Sequence, residues 1–307
     1  MARGITMDAG GYIGGGSMWR YIVYLLLCLS PCRAVAAEPL VIGVVPEMNV
    51  FKQMARYEPL GKYLAEKMGR EVKFTILSPY GNIVDRLRER KIDGAFLGAF
   101  TGALAITQLG EEPLARPVNP DGNSTECGCI FVRKDRDIQS VEQMRGKNLA
   151  LVEKATASGY VFPVAYFRRY GVDDLGTYFQ EVLFVGSHDA TIMAVLDGDA
   201  DVGAAKSSVF DRLNLENPRI KKELTILATS HPVPSNGLCV RPDLPNEVKQ
   251  RLKTLLLKLH LSPEGGTVLE RLGALRFEET TRADYQPVFD LAKDAGIQIE
   301  NYKYYNQ

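Results

Sequence analysis

The sequence predicts an α/β protein of two lobes, each a mainly parallel sheet flanked by helices, with a cleft between them. Two observations lead there. A short apolar strand pattern runs into a small polar turn and then a helix six times, in two series over 38–110 and 147–215. A further strand pattern, Gly237–Val240, returns after the second series, so the chain crosses between lobes twice. Alternating strands and helices argue for parallel sheets covered on both faces.

The six strands are Leu40–Val45, Val72–Leu77, Gly94–Leu97, Leu149–Val152, Val182–Val185 and Ala200–Gly203. The first helix, 50–69, carries Met54, Leu60, Leu64 and Met68 on one stripe, with Pro59 as a break. Ile83–Arg90 is amphipathic, and Thr101–Leu109 is nearly all apolar and reads as buried. A loop rich in Pro, Gly, Asn and Ser follows at 116–126. Cys129–Arg133 reads as a strand, and Val141–Arg145 as a short helix ended by Gly146. The second series supplies helices at Gly159–Tyr170, Ala190–Leu196 and Ser207–Leu215, with Pro163 in the first turns of one, where proline is tolerated. A strand at Leu224–Ala228 leads into the turn His231-Pro232-Val233-Pro234. Helices at Asn246–His260, Pro263–Leu272 and Asp284–Ala295 close the chain and are assigned to the first lobe. Crossings near 134–146 and 228–240 then divide it into lobe 1, 38–134 with 240–307, and lobe 2, 135–239.

Residues 1–37 read as a cleaved secretory signal peptide. A basic start at Met18-Trp19-Arg20 precedes the apolar run Tyr21–Leu29, which is too short to span a bilayer, and Ala34-Val35-Ala36-Ala37 supplies a small-residue cleavage site. Cleavage is placed after Ala37, and Met18 is the more natural start. A lipid anchor on Cys32 is disfavoured by Pro31 just before it. No later run has the length of a membrane span, so a periplasmic protein is expected. The chain has 37 basic and 37 acidic residues, and the leader takes Arg3, Arg20, Arg33 and Asp8, leaving a charge of about −2. That balance offers nucleic acid no electrostatic footing, and a monomer is expected. Three cysteines lie beyond the leader, Cys127, Cys129 and Cys239. Two readings stand: buried thiols, or one disulfide joining Cys129 and Cys239 in an oxidising compartment.

The turns carry the chemistry. A helix start has free N–H groups and the positive end of the helix dipole, so several starts gathered at strand ends make an anion site. Thr156-Ala157-Ser158-Gly159 adds two hydroxyl donors and small residues that let the backbone approach a ligand; its bland alternative is a plain helix cap. Tyr80, Thr101, His188 and Asn236 are further candidates, each weighed against a capping, turn or core role. Asp189 reads as a cap, and Lys206 as a solvated side chain. None of the six turns contains Arg, which favours tetrahedral oxyanions held by neutral donors over carboxylates held by a guanidinium fork. An enzyme is not expected. Ser158 lacks the glycines of a nucleophile elbow, Asp189 adjoins His188 and would have to turn back to orient it, no P-loop occurs, and no ligand cluster for a metal is visible. No cofactor is expected.

The series Ile42-Gly43-Val44-Val45-Pro46, Ser78-Pro79-Tyr80, Ile92-Asp93-Gly94-Ala95-Phe96-Leu97-Gly98, Thr156–Pro163, Ser187-His188-Asp189, Ala200–Ala204 and Pro234-Ser235-Asn236-Gly237 resembles the phosphate/phosphite/phosphonate-binding family of periplasmic solute-binding proteins. The resemblance implies the type II periplasmic binding fold, a phosphorus oxyanion held at helix starts, and delivery to an ABC permease. Carried over by position, it points to Tyr80, Thr101, Thr156, Ala157, Ser158 and His188, with Asn236 where the family's phosphonate receptor has a carboxylate. That receptor also has Tyr in place of Leu97 and Ser-Thr-Ser in place of Thr156-Ala157-Ser158. The groups that hold the amine of 2-aminoethylphosphonate are thus incomplete. The alternative function is a sensory protein that hands its liganded state to a membrane receptor such as a histidine kinase; fold does not separate the two.

Overall fold

The computed structural model describes residues 38–45, 47–77, 83–89 and 91–304, with isolated positions at 1, 4, 6, 7 and 10. The chain divides into two units, Met1–Ala37 and Glu38–Gln307. The first carries no regular secondary structure at its described positions.

In the second unit the strand–turn–helix repeats build two mixed sheets. The strands are β1 Leu40–Val44, β2 Val72–Ile76, β3 Gly94–Leu97, β4 Glu112–Val118, β5 Thr125–Glu126, β6 Gly128–Arg133, β7 Asn148–Leu151, β8 Glu181–Phe184, β9 Val202–Lys206, β10 Leu224–Thr229, β11 Val233–Pro234, β12 Gly237–Val240 and β13 Arg276–Glu279. The α-helices are α1 Val50–Met68, α2 Ile83–Arg88, α3 Ala99–Leu109, α4 Phe162–Arg168, α5 Leu175–Tyr178, α6 His188–Asp197, α7 Ser207–Glu216, α8 Arg219–Glu223, α9 Asn246–Leu257, α10 Pro263–Leu272 and α11 Gln286–Asp294.

The first sheet has the order β13-β4-β12-β3-β1-β2 and the second β10-β6-β9-β7-β8. Each has a parallel core of three strands, β2-β1-β3 and β8-β7-β9, as the repeats require. Antiparallel pairing begins at the strand by which the chain enters each sheet after a crossing: β12 beside β3, and β6 beside β9. Strands β5 and β11 pair with each other as a separate ribbon, so the two crossings run side by side.

Several expectations change. The first crossing lies at 119–127, upstream of the expected 134–146, because β6 belongs to the second sheet. Its Gly128–Val132 stretch is fully buried, and that apolar run needs partners on both edges, which β9 and β10 provide. The second crossing, 230–236, falls inside the expected span. Strand β4 lies partly in what reads as a loop, because Pro113 and Pro117 argue against a strand there. Each proline costs a ladder bond, and the register slips between Leu238 and Cys239 opposite Pro113. Pro59 does not break α1, whose face Tyr57, Leu60, Gly61 and Leu64 stays buried across it. Strand β9 runs on through Ala204, Ala205 and Lys206, which reads as a polar turn in sequence.

The Cys129–Cys239 disulfide does not form. Cys129 lies in β6 of the second sheet and Cys239 in β12 of the first, between β3 and β4. The Cys129 Sγ contacts Ala205 O at 3.6 Å and the Cys239 Sγ lies 3.8 Å from the Tyr285 hydroxyl; all three thiols are free. Burial pushes both the Cys129 and Cys239 thiols up to about 12. The closing segment also reaches the second sheet's helices: Arg169 pairs with Asp294 at 2.8 Å, and the Tyr302 hydroxyl donates to Lys154 O at 3.0 Å.

Candidate functional site

Three helix starts meet where the two sheets face each other. Behind β3, Gly98 opens α3 in extended backbone with no side-chain cap, leaving the first-turn N–H groups of this buried helix uncapped. Behind β7, Val152–Thr156 leads into one π-helical turn, Ala157–Val161, that continues as α4. Gly159 is required there: a Cβ would come within 2.5 Å of Val152 Cγ2 and 2.8 Å of Thr156 Oγ1. Behind β8, Ser187 caps α6 by accepting from Ala190 N, and His188 opens the helix.

These starts line a cavity of about 10 Å³ together with Val45, Glu126 and Lys206, space for roughly one water. Thr101, Thr156, Ala157, Ser158 and His188 are all on its wall. A larger hollow of about 760 Å³ near Val84, Gln108 and Tyr302 shares no lining residue with it. Tyr80 lies outside the described residues.

The hydroxyls are not equivalent. Thr156 Oγ1 donates to Glu153 O at 2.7 Å and Thr101 Oγ1 to Gly98 O at 3.1 Å, so both protons are committed to backbone. Thr101 is not the cap of α3; that position is Gly98. Ser158 is 2 % exposed, and its Oγ has no hydrogen-bond partner. A buried hydroxyl of this kind costs free energy unless something else receives it.

His188 departs from the role of a proton-tuned donor. Its Nδ1 accepts from Lys206 N at 3.1 Å, which places the ring proton of the neutral form on Nε2. Burial, reinforced by the Lys206 charge and only partly opposed by Glu47, lowers its pKa to about 3. The histidine is therefore a neutral donor at physiological pH. Asp189 is not the cap of α6, which is Ser187, but lies in its first turn: Oδ1 accepts from Ala190 N at 2.9 Å and from the Ser187 hydroxyl, and Oδ2 from Asn49 N at 3.2 Å.

The residues that sequence reasoning missed are charged. Lys206 is not solvated; it ends β9 opposite Gly128 and is 6 % exposed. Its Nζ pairs with Glu47 Oε1, lies 2.8 Å from Glu126 Oε2 and donates to Asn236 Oδ1 at 2.8 Å. Asn236 Nδ2 in turn donates to Glu47 Oε1 at 3.0 Å. Burial would raise the Glu47 carboxyl, but Lys206 and Arg56 together outweigh it and hold it at about 2. Glu126 is raised to about 6, since burial prevails over its attraction to Lys206. For Lys206, burial is outweighed by Glu126 and Glu47, and its pKa rises. Among the described residues no arginine lines the cavity, and no group of His, Cys, Asp and Glu is arranged to hold a metal ion. The only signal for the lysine in sequence was the apolar run Val202–Ala205 leading straight into it.

Two mixed sheets joined by a paired double crossing, with helix starts facing a small polar cavity, define a binding protein that holds its ligand between two halves. The family model for the ABC-transporter phosphonate periplasmic substrate-binding protein matches residues 42–285, and the chain belongs to that family. Its members are substrate receptors for ABC transport rather than enzymes. Over 227 residues the chain is 26 % identical to the phosphate-import protein PhnD of Mycolicibacterium smegmatis, covering 71 % of each. It is 24 % identical to the phosphonates-binding periplasmic protein of Escherichia coli, over 86 % of this chain and 79 % of that one. A binding-protein component of an ABC phosphonate transporter from Pseudomonas aeruginosa has the same fold, with a TM-score of 0.77 at 24 % identity over 84 % of this chain and 86 % of that chain. No helix among the described residues is long and apolar enough to cross a membrane.

Proposed function

We propose that this receptor captures a small phosphorus oxyanion, such as phosphate, phosphite, a phosphonate or an ester, and presents it to an ABC permease outside the cytoplasm. The observation that carries the reading is the unpartnered Ser158 hydroxyl, buried among three helix starts in a cavity without arginine. Ser158, the N–H groups of 157–159, the start of α3 and the neutral His188 are the donors in this reading. Relatives named for phosphate import and for phosphonate binding support the same ligand class.

A cavity of about 10 Å³ is too small for such a ligand. Capture therefore requires the halves to part and close again about 119–127 and 230–236, the hinge geometry common to two-lobed receptors. In this reading one lobe is 38–118 with 237–307 and the other 128–229, and the protein acts as a monomer after removal of residues 1–37.

Calorimetry with phosphate, phosphite, methylphosphonate, sulfate and amino acids tests the proposal. At least one phosphorus oxyanion binds, and a hundredfold excess over its Kd stabilises the fold by about 2.7 kcal/mol. Tight binding of an amino acid with no response to any phosphorus oxyanion would overturn it.

A further inference from the structure

The Lys206 ammonium carries three N–H donors and is met by three acceptors. These are Glu47 Oε1, Glu126 Oε2 at 2.8 Å and Asn236 Oδ1 at 2.8 Å. They come from three separate segments: the loop after β1, the crossing strand β5 and the second crossing. The bond from Asn236 Nδ2 to Glu47 Oε1, 3.0 Å, fixes the amide with its oxygen toward the ammonium. A simple ion pair needs one carboxylate; here two carboxylates and a carboxamide surround one cation on the wall of the ligand cavity.

We propose that Glu47, Glu126 and Asn236 form an ammonium subsite of the cleft and that Lys206 fills it from within, as a tethered amine, so that the receptor selects oxyanions carrying no amine of their own. This rests on the functional reading above for the place of the oxyanion. A ligand amine would have to displace Lys206, whose tether gives it a high effective concentration in the subsite. It would also leave the displaced ammonium buried without partners, a strongly unfavourable state. An oxyanion without an amine meets no such competition.

Two ligands that differ by an aminomethyl group, methylphosphonate and 2-aminoethylphosphonate, test this in calorimetry. The wild type binds methylphosphonate at least tenfold more tightly. Lys206→Ala reverses the preference by at least tenfold. A second arm uses no phosphorus compound: n-propylammonium, which replaces the deleted atoms, raises the melting temperature of Lys206→Ala but not of the wild type, and n-propanol does neither. Should Lys206→Ala fold poorly, its refolding yield with and without n-propylammonium gives the same readout. A wild type that binds the two phosphonates equally, or prefers the amine, overturns the proposal. If neither phosphonate binds either protein, the oxyanion reading rests on phosphate and phosphite, and the amine arm alone decides the subsite. Rescue then supports it, and no rescue overturns it.

Discussion

Ser158 and His188 show how one cavity treats its polar groups differently. Ser158 keeps a buried hydroxyl that no protein group engages, so it is available to a ligand oxygen. It lies inside the π-turn rather than capping a helix. Ser158→Ala should therefore weaken oxyanion binding by roughly 1.5–3 kcal/mol while changing the stability of the ligand-free protein by less than about 1 kcal/mol. Titration calorimetry and denaturant melts measure the two effects; unchanged affinity would remove Ser158 from the site. His188 is held neutral, with its folded pKa near 3, below the ordinary value of 6.5. The unfolded chain takes up that proton first, so the histidine's contribution is complete above about pH 6.5 and is lost as pH falls toward 3. Glu126 acts in the opposite sense over a narrower range, because its folded pKa of about 6 lies above the ordinary 4.5 and protonation relieves its burial. Glu111 and Glu153, raised by burial to about 8 and about 7, oppose the histidine as Glu126 does, so its effect is read as a difference. Between about pH 7 and 4 the wild type should lose stability relative to His188→Gln by at most about 1.4 kcal/mol per pH unit; parallel profiles would mean that the histidine titrates normally.

The helix starts are elements with strict backbone demands. The π-turn at 157–161 brings Ser158 to the cavity, and it fits only because Gly159 has no Cβ to strike Val152. Gly159→Ala should destabilise the protein by roughly 1–3 kcal/mol, the cost of overpacking, and should weaken ligand binding as the turn shifts. Gly266→Ala is the control: it lies in α10 with no atom within 4 Å of its would-be Cβ. It should stabilise by roughly 0.5–1 kcal/mol from helix propensity and leave binding unchanged. Thermal melts and calorimetry of the two variants separate the local clash from a general effect of alanine. Strand β9 is the other decisive element, since its extension to Lys206 turns an expected surface residue into the cation of the cleft.

The whole molecule sets the pairing of its halves and the state of its thiols. The two crossings pair as β5 and β11, and Glu126 of that ribbon contacts Lys206 of the second sheet, while Glu47, which follows β1 of the first, meets the same lysine. In the proposed opening, parting the halves would break or carry this charge cluster. The sheets also keep Cys129 and Cys239 apart. Thiol titration of denatured, unreduced protein lacking residues 1–37 should give three free thiols; a count of one would mean that two of the three cysteines pair. Membership of a family of ABC-transport receptors favours delivery to a permease, and no observation favours the sensory alternative.

Local pattern alone determined a good deal of this protein. The strand–turn–helix rhythm placed β1, β3, β7, β8 and β12 within a residue or two, because strand alternation, turn residues and helix caps are short-range properties. Together with the family resemblance it also singled out Thr101, Thr156, Ala157, Ser158 and His188, which share one cavity, since helix starts at the strand ends of such a sheet can face the cleft. Tertiary structure decided the rest. Which sheet takes β6, whether Pro113 and Pro117 can sit within a strand, and whether two cysteines meet all depend on partners far away in sequence. The cluster of Glu47, Glu126, Lys206 and Asn236 is the clearest case. Its members lie on four segments, and each alone reads as an ordinary polar residue. Burying a charge is unfavourable unless its counter-charges arrive with it, and only the folded arrangement of the two sheets brings them together.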